Sequence, residues 1–382
     1  MRSGVNCFLR VFILPLLLPL TDSLIGVQTV VGLGETRTSA PLADRPQRRW
    51  QVMTVAVGAA PFGEIPSNQE ILRRISALMP EAGQNEPDQH VVSQVILKQF
   101  TEPWGKKGEF LLARLNVRHP ERRIVRGGPK KFGKIPGYLP FASSSAEDLW
   151  STTETRLHEP LEAIKQHGRV TDQAHQTAIR EAIALHLVRS IQTAALHEAS
   201  WLKFREFAKQ YWLQRPGDLQ LQHVARHRYW TSDRARLEQV LDDEIRERDA
   251  LVSSGALFRV SLEDRFERLR IGFRAFDLKI LSAGDQEFLI GDAPVLLMRK
   301  GHGGLGFFDG VGVGNADEIV MPLTPHHVAV LGQGSESRDA APGEADRYNT
   351  LQVRIAQHHV HFRIGSNLAS FVRSLPGSEA AA

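Results

Sequence analysis

The 382-residue sequence holds a single cysteine, Cys7. That excludes an intrachain disulfide framework and any cysteine-based zinc or iron–sulfur site, and its plain reading is a reducing, cytosolic compartment. No apolar run reaches the ~18–20 residues that a membrane-spanning helix needs. No repeat of solenoid or propeller period is present. An excess of positive charge is also missing from most of the chain. The formal net charge is +4, but residues 1–52 carry six arginines against three acids, leaving 41 basic and 40 acidic side chains in the rest. Nucleic-acid binding therefore cannot be argued from global charge, only from a local patch.

What is present reads as a globular chain, 42% hydrophobic and 24% charged. Residues 1–52 show no sustained period. Arg2 and Arg10 precede the apolar stretch Val11 to Leu20, which imitates a signal peptide, but Thr21-Asp22-Ser23 is a poor cleavage site and prolines interrupt the run. The leading reading is a start-site artefact ahead of Met53, with an export signal or a disordered tail as alternatives. Residues 53–375 are expected to form one α+β domain, and 376–382 a disordered tail. Helical spacing recurs over 68–79, in a short helix from His90 to Phe100, and over 146–166, 172–213, 218–229 and 232–253. Strands are expected at 109–117 and 122–126, joined as a hairpin, and again at 277–281, 287–290, 295–298, 318–320, 327–331 and 359–364, with a helix over 348–356. The expected architecture is a central bundle of long helices packed on a mixed or antiparallel sheet built from the hairpin and the C-terminal strands.

His90-Val91-Val92-Ser93-Gln94-Val95-Ile96-Leu97-Lys98-Gln99-Phe100 resembles the opening pattern of the bacterial domain-of-unknown-function family 4238. Further matches follow in order: Gly108 to Val117, the Glu154 helix, Arg189, Phe288-Leu289-Ile290-Gly291-Asp292-Ala293-Pro294-Val295, Met321-Pro322-Leu323-Thr324-Pro325, and Asn349. The resemblance covers about residues 88–365. It departs where Ser93 replaces a proline, where Val92 and Val95 stand near the family's aromatic positions, and where no proline follows Arg189. It implies membership and a fold, and it brings no activity with it.

Several constellations carry a bland reading beside a sharp one. Gly301-His302-Gly303-Gly304-Leu305-Gly306 matches a dinucleotide fingerprint, but the glycines that follow make the required helix costly, so it reads as a loop. His175, His186 and His197 recur every eleven residues, a polar helix face on which His186 and Arg189 could bind an anion. His359 and His361 share a strand face without a third ligand, which reads as a solvated edge strand, and no metal is expected. Arg114, Arg118, Arg122, Arg123, Arg126, Lys130, Lys131 and Lys134 could track a phosphate backbone, with Phe132 and Tyr138 stacking on bases. The competing reading is a charged edge that blocks strand pairing.

The functional expectation is a hydrolase acting on a phosphate-containing substrate, possibly nucleic acid. In it His90, Glu154 and Asp292 are catalytic and Arg189 with His186 holds the anion. The alternative is a binding module without chemistry for a ligand, nucleic acid or protein. The structural counterpart has Asp292 capping a turn, Arg189 paired with Glu154, and His90 capping its own helix. No cofactor is expected, nucleic acid is a possible partner through the basic hairpin, and the oligomeric state cannot be read.

Overall fold

The computed structural model describes residue 66 and residues 68–105, 108–299 and 311–375. The expectations for residues 1–52, for the glycine-rich stretch 301–306 and for the tail 376–382 lie outside the described residues. In chain order the elements are α1 (Asn68–Leu78), β1 (Asp88–His90), α2 (Gln94–Gln99), β2 (Glu102–Trp104), β3 (Glu109–Asn116), β4 (Val125–Gly127) and β5 (Lys134–Pro136). Helices α3 (Ser143–Thr155), α4 (His158–His167), α5 (Gln173–Val188), α6 (Ile191–Leu213), α7 (Pro216–His227), α8 (Arg234–Ser253) and α9 (Ala256–Gly272) follow. The last part holds β6 (Asp277–Ser282), β7 (Ile290–Gly291), β8 (Leu296–Met298), β9 (Glu318–Thr324), β10 (His327–Gly332), β11 (Arg338–Asp339), α10 (Glu344–Ile355), β12 (His359–Phe362) and α11 (Leu368–Ser374). This is an α+β fold.

One sheet runs β11-β6-β10-β9-β8, antiparallel except for the parallel pair β11–β6. The period of two along its strands divides its side chains between two cores. Ile319, Met321, Leu323, Ala329, Leu331, Leu278 and Ile280 face the main core, with Ile179 and Ile183 of α5. Val320, Val328, Val330, Leu281 and Leu296 face the other way, against Tyr348 and Ile355 of α10. Each such fully buried aliphatic side chain contributes about 1.5–3 kcal/mol. Because both faces are covered, β9 and β10 read as continuous apolar runs.

The hairpin does join C-terminal strands, as expected, but in a sheet separate from that one. Strands β2-β3-β12-β7 form a second sheet, with β4 paired to β3. β12 lies between β3 and β7, so the expected solvated edge strand is an interior one, and His361 is buried. Among the described residues no group of three or more His, Cys, Asp or Glu is placed to hold a metal ion. No helix among them is long and apolar enough to cross a membrane.

The helical middle is more finely divided than its periodicity implies. The expected 172–213 helix breaks at Arg189-Ser190, where Ser190 accepts a hydrogen bond from the Thr193 amide and caps α6. The eleven-residue histidine spacing is interrupted there. His186 is buried and His197 half-buried, so the expected polar face does not exist as one surface. His197 instead stacks on Phe258, with ring centroids 5.0 Å apart. Helix α5 is buried almost all round, Arg180 and Glu181 included.

Candidate functional site

His90 ends strand β1 rather than opening a helix, in register with Lys134 of β5. The chain then turns. The amides of Val91 and Val92 both donate to the Gly133 carbonyl. Gly133 sits at φ +69°, where an added Cβ would lie 2.9 Å from both Leu97 and the Val92 carbonyl, so only glycine fits. Val91 and Val92 bury, and Ser93 caps α2 by accepting from the Val95 amide at 3.1 Å. The local sequence thereby sets His90 and Gln94 at the surface side of the turn and Ser93 at its buried side. His90 Nε2 and Gln94 Nε2 are 3.0 Å apart; with the amide donating, the imidazole proton sits on Nδ1.

His186 holds this turn to α5. Its Nδ1 donates to the Ala182 carbonyl at 2.8 Å, and its Nε2 accepts from the Ser93 amide at 3.1 Å. Burial, helped by the Arg189 charge, depresses it to about 4. It is therefore neutral with both nitrogens engaged, and it cannot donate to an anion as expected. It is a brace.

Arg189 terminates α5, and its side chain is completely buried. Its Nη2 pairs with Glu154 of α3, and its guanidinium lies 5.4 Å from the centroid of the Trp150 ring. Its Nε and Nη1 have no hydrogen-bond partner. Tyr138 donates to the Ser190 carbonyl at 3.2 Å and fixes the helix break that positions the arginine. Burial works to raise the Glu154 carboxyl. The Arg189 charge and hydrogen bonds from Arg189 and Ser93 outweigh it and hold Glu154 below the usual range.

Glu147, which the sequence reading did not single out, completes the cluster. It stands seven residues before Glu154, with Trp150 between them on the same face of α3. Burial, reinforced by Glu154, Glu86 and Asp148 against the pull of Arg189, raises it to about 7. Its Oε1 is buried without a partner. His90 is depressed to about 4 by burial and by Lys134 and Arg189, opposed by Glu154 and Asp88. The signal that could have found Glu147 is its i,i+7 spacing from Glu154.

The structure thus brings together His90, Glu154, Arg189 and His186, and leaves Asp292 out. Asp292 accepts from the amides of Gln357, His358 and His359 at 2.8, 2.7 and 2.9 Å. Both oxygens serve the entry of β12, which is the turn-capping role weighed for it. Burial raises its carboxyl, and those three amides pull the other way.

The basic residues also separate. Arg114 is half-buried, 4.7 Å above the Phe132 ring, and Arg118 donates to the Gln357 carbonyl. Arg122, Arg123, Lys130 and Lys131 are exposed. Phe132 and Tyr138, expected to stack on bases, are core residues at 0% and 7% exposure. The accessible rings in this region are Phe110 and Trp104, the latter with Arg126 over it at 4.6 Å.

A family model described as a protein of unknown function, DUF4238, matches residues 88–366, beginning at the first residue of β1. None of the curated proteins and none of the solved structures matches the chain.

Proposed function

Since this chain belongs to the DUF4238 family, whose description assigns no activity, its own residues must carry the reading, and we propose that the Glu147–Glu154–Arg189 cluster binds a phosphate-bearing ligand. One observation carries this: a wholly buried guanidinium uses one nitrogen of three, beside a carboxyl whose buried oxygen is likewise unpartnered. Buried donors left unpaired are costly, and a ligand oxygen relieves that cost. Charge agrees when Glu147 is protonated. Arg189 and Glu154 then cancel, His90 and His186 are neutral, and Arg189 with the Glu147 hydroxyl supplies donors to an anion. When Glu147 ionises, the cluster gains a negative charge and repels the ligand. A single cysteine supports a cytoplasmic setting for this activity.

The test uses sulfate and dimethyl phosphate, whose charge is constant across neutral pH. By calorimetry both bind at pH 6, with affinity falling up to about tenfold per pH unit above 7 as Glu147 loses its proton. Glu147→Gln keeps the binding and removes the pH dependence. No heat and no shift in melting temperature with either anion at pH 6 refutes the reading.

A second reading, hydrolysis of that ligand, draws on the split between Glu147, poised near neutrality, and Glu154, kept ionised. Glu147 would protonate the leaving group while Glu154 or His90 orients water. Both bases are weak, since His90 titrates near 4 and Glu154 is pulled down. Binding is therefore the stronger reading. Release of nitrophenol from a nitrophenyl phosphate ester that disappears in Glu147→Gln would promote hydrolysis to the main one.

A further inference from the structure

We infer that the outer edge of strand β4 is a binding surface for single-stranded nucleic acid, separate from the Arg189 cluster. β4 pairs only with β3, so its other edge is free of a strand partner among the described residues. Along and beside that edge lie Arg122, Arg123, Arg126, Lys130 and Lys131, all exposed. The ten residues from Arg122 to Lys131, strand only at Val125–Gly127 and a 3-10 turn at Pro129–Lys131, reach at most about 30 Å. That matches a strand of several nucleotides, the smaller site sizes of such proteins.

Two further observations favour a polyanion over a merely solvated edge. Elsewhere many surface arginines are neutralised, Arg226 by Glu244 and Glu247, Arg234 by Glu238, Arg246 by Asp243, and exposed arginines without an ion pair among the described residues, such as Arg169, Arg274 and Arg354, occur one at a time rather than five cations within ten residues. No carboxylate among the described residues pairs with any of the five edge cations, and the body of the chain is close to neutral. One or two charges suffice to block strand pairing, so five unpaired ones exceed that need. The second observation is Trp104, 39% exposed on β2, with the Arg126 guanidinium over its ring at 4.6 Å. In the β2–β3–β4 register Trp104 faces Glu109, and Arg126 faces Ala113, two strand positions of like parity. The two side chains therefore share one face of the ribbon. A planar cation seated on an indole is a surface on which an unpaired base stacks. Glu109 and Glu121 are the exposed acids nearby, and Glu121 lies beside His119.

Unpaired bases are required because stacking needs a free face, which a duplex does not offer. An anionic membrane would also attract the cations, but it would not need the stacked pair.

The full chain is titrated into fluorescein-labelled 15-nucleotide oligo-dT and oligo-U at low salt, with a duplex of equal length and phosphatidylserine vesicles in parallel. Binding to the single strands is expected, weakening steeply as salt rises. The paired substitution Arg122→Glu and Arg123→Glu reduces affinity at least tenfold. Trp104→Ala reduces it several-fold without changing the salt slope, because it removes stacking and no charge. Melting temperatures of both variants stay close to that of the native chain. Absence of binding at low salt overturns the inference. So does a preference for duplex or vesicles, or an unchanged affinity in Trp104→Ala.

Discussion

Asp292 and Arg189 are both charged and both buried, and the fold treats them in opposite ways. Asp292 receives three backbone amides at 2.7–2.9 Å and spends its charge on shaping the entry to β12. Arg189 receives one carboxylate and keeps two nitrogens without a partner. Backbone amides are fixed by the chain path, so a carboxylate they surround is structure. An unfilled set of donors beside a group that reaches the surface is capacity. Burial alone does not tell a functional charge from an architectural one; the state of its hydrogen bonds does.

Three variants probe that difference. Asp292→Ala has the largest expected effect. It strands three partly buried amides and should cost about 3–5 kcal/mol, read from urea denaturation. Next, Glu154→Gln leaves the Arg189 charge without its counter-ion and should cost about 3 kcal/mol. Replacing both Glu154 and Arg189 by Met should restore stability to within about 1 kcal/mol of the native chain. That double variant should also lose anion binding. If it is as unstable as Asp292→Ala, Arg189 is architectural and the contrast collapses.

The smallest effect is at Glu147. Its folded pKa, about 7, lies above the unfolded value. The folded chain therefore keeps a proton that the unfolded chain releases, and this group's contribution falls as pH rises from about 4.5 through 7. Glu147→Gln should stabilise the protein by about 1–2 kcal/mol at pH 8, a figure reduced for partial exposure. The gain should shrink toward zero at pH 5. Equal stabilities at pH 8 would mean that Glu147 titrates normally.

Local chemistry was readable wherever a period or a cap announces itself. Helix α1, strand β3 and the strands β6 and β10 stand close to where their patterns place them. Helix α9 was not foreseen, because Arg259 and Arg265 lie within its buried face and blur the apolar stripe. The break at Arg189 lacks the glycine or proline that usually marks one, although Ser190-x-x-Thr193 carries its capping signature. At the site, Glu154 and Arg189 were legible as a pair of charges on helices. The β1–β5 pairing that holds His90 is set 44 residues apart in the chain, between His90 and Lys134, and no local pattern records it. The partners of Asp292 are backbone groups more than sixty positions away, which no side chain advertises.

The place where α5 stops has one more consequence. The aligned peptide dipoles of that 16-residue helix leave roughly half a negative charge at its carboxyl end, where Arg189 stands. The guanidinium thus has the helix end as well as Glu154 to attract it. An anion on the free Nε and Nη1 is repelled by the Glu154 carboxylate on the other side of the same guanidinium, while the helix end goes on attracting the arginine. The carboxylate that steadies the native state is therefore also the ligand's rival, and tighter binding and a firmer fold draw on the same side chain in opposite directions.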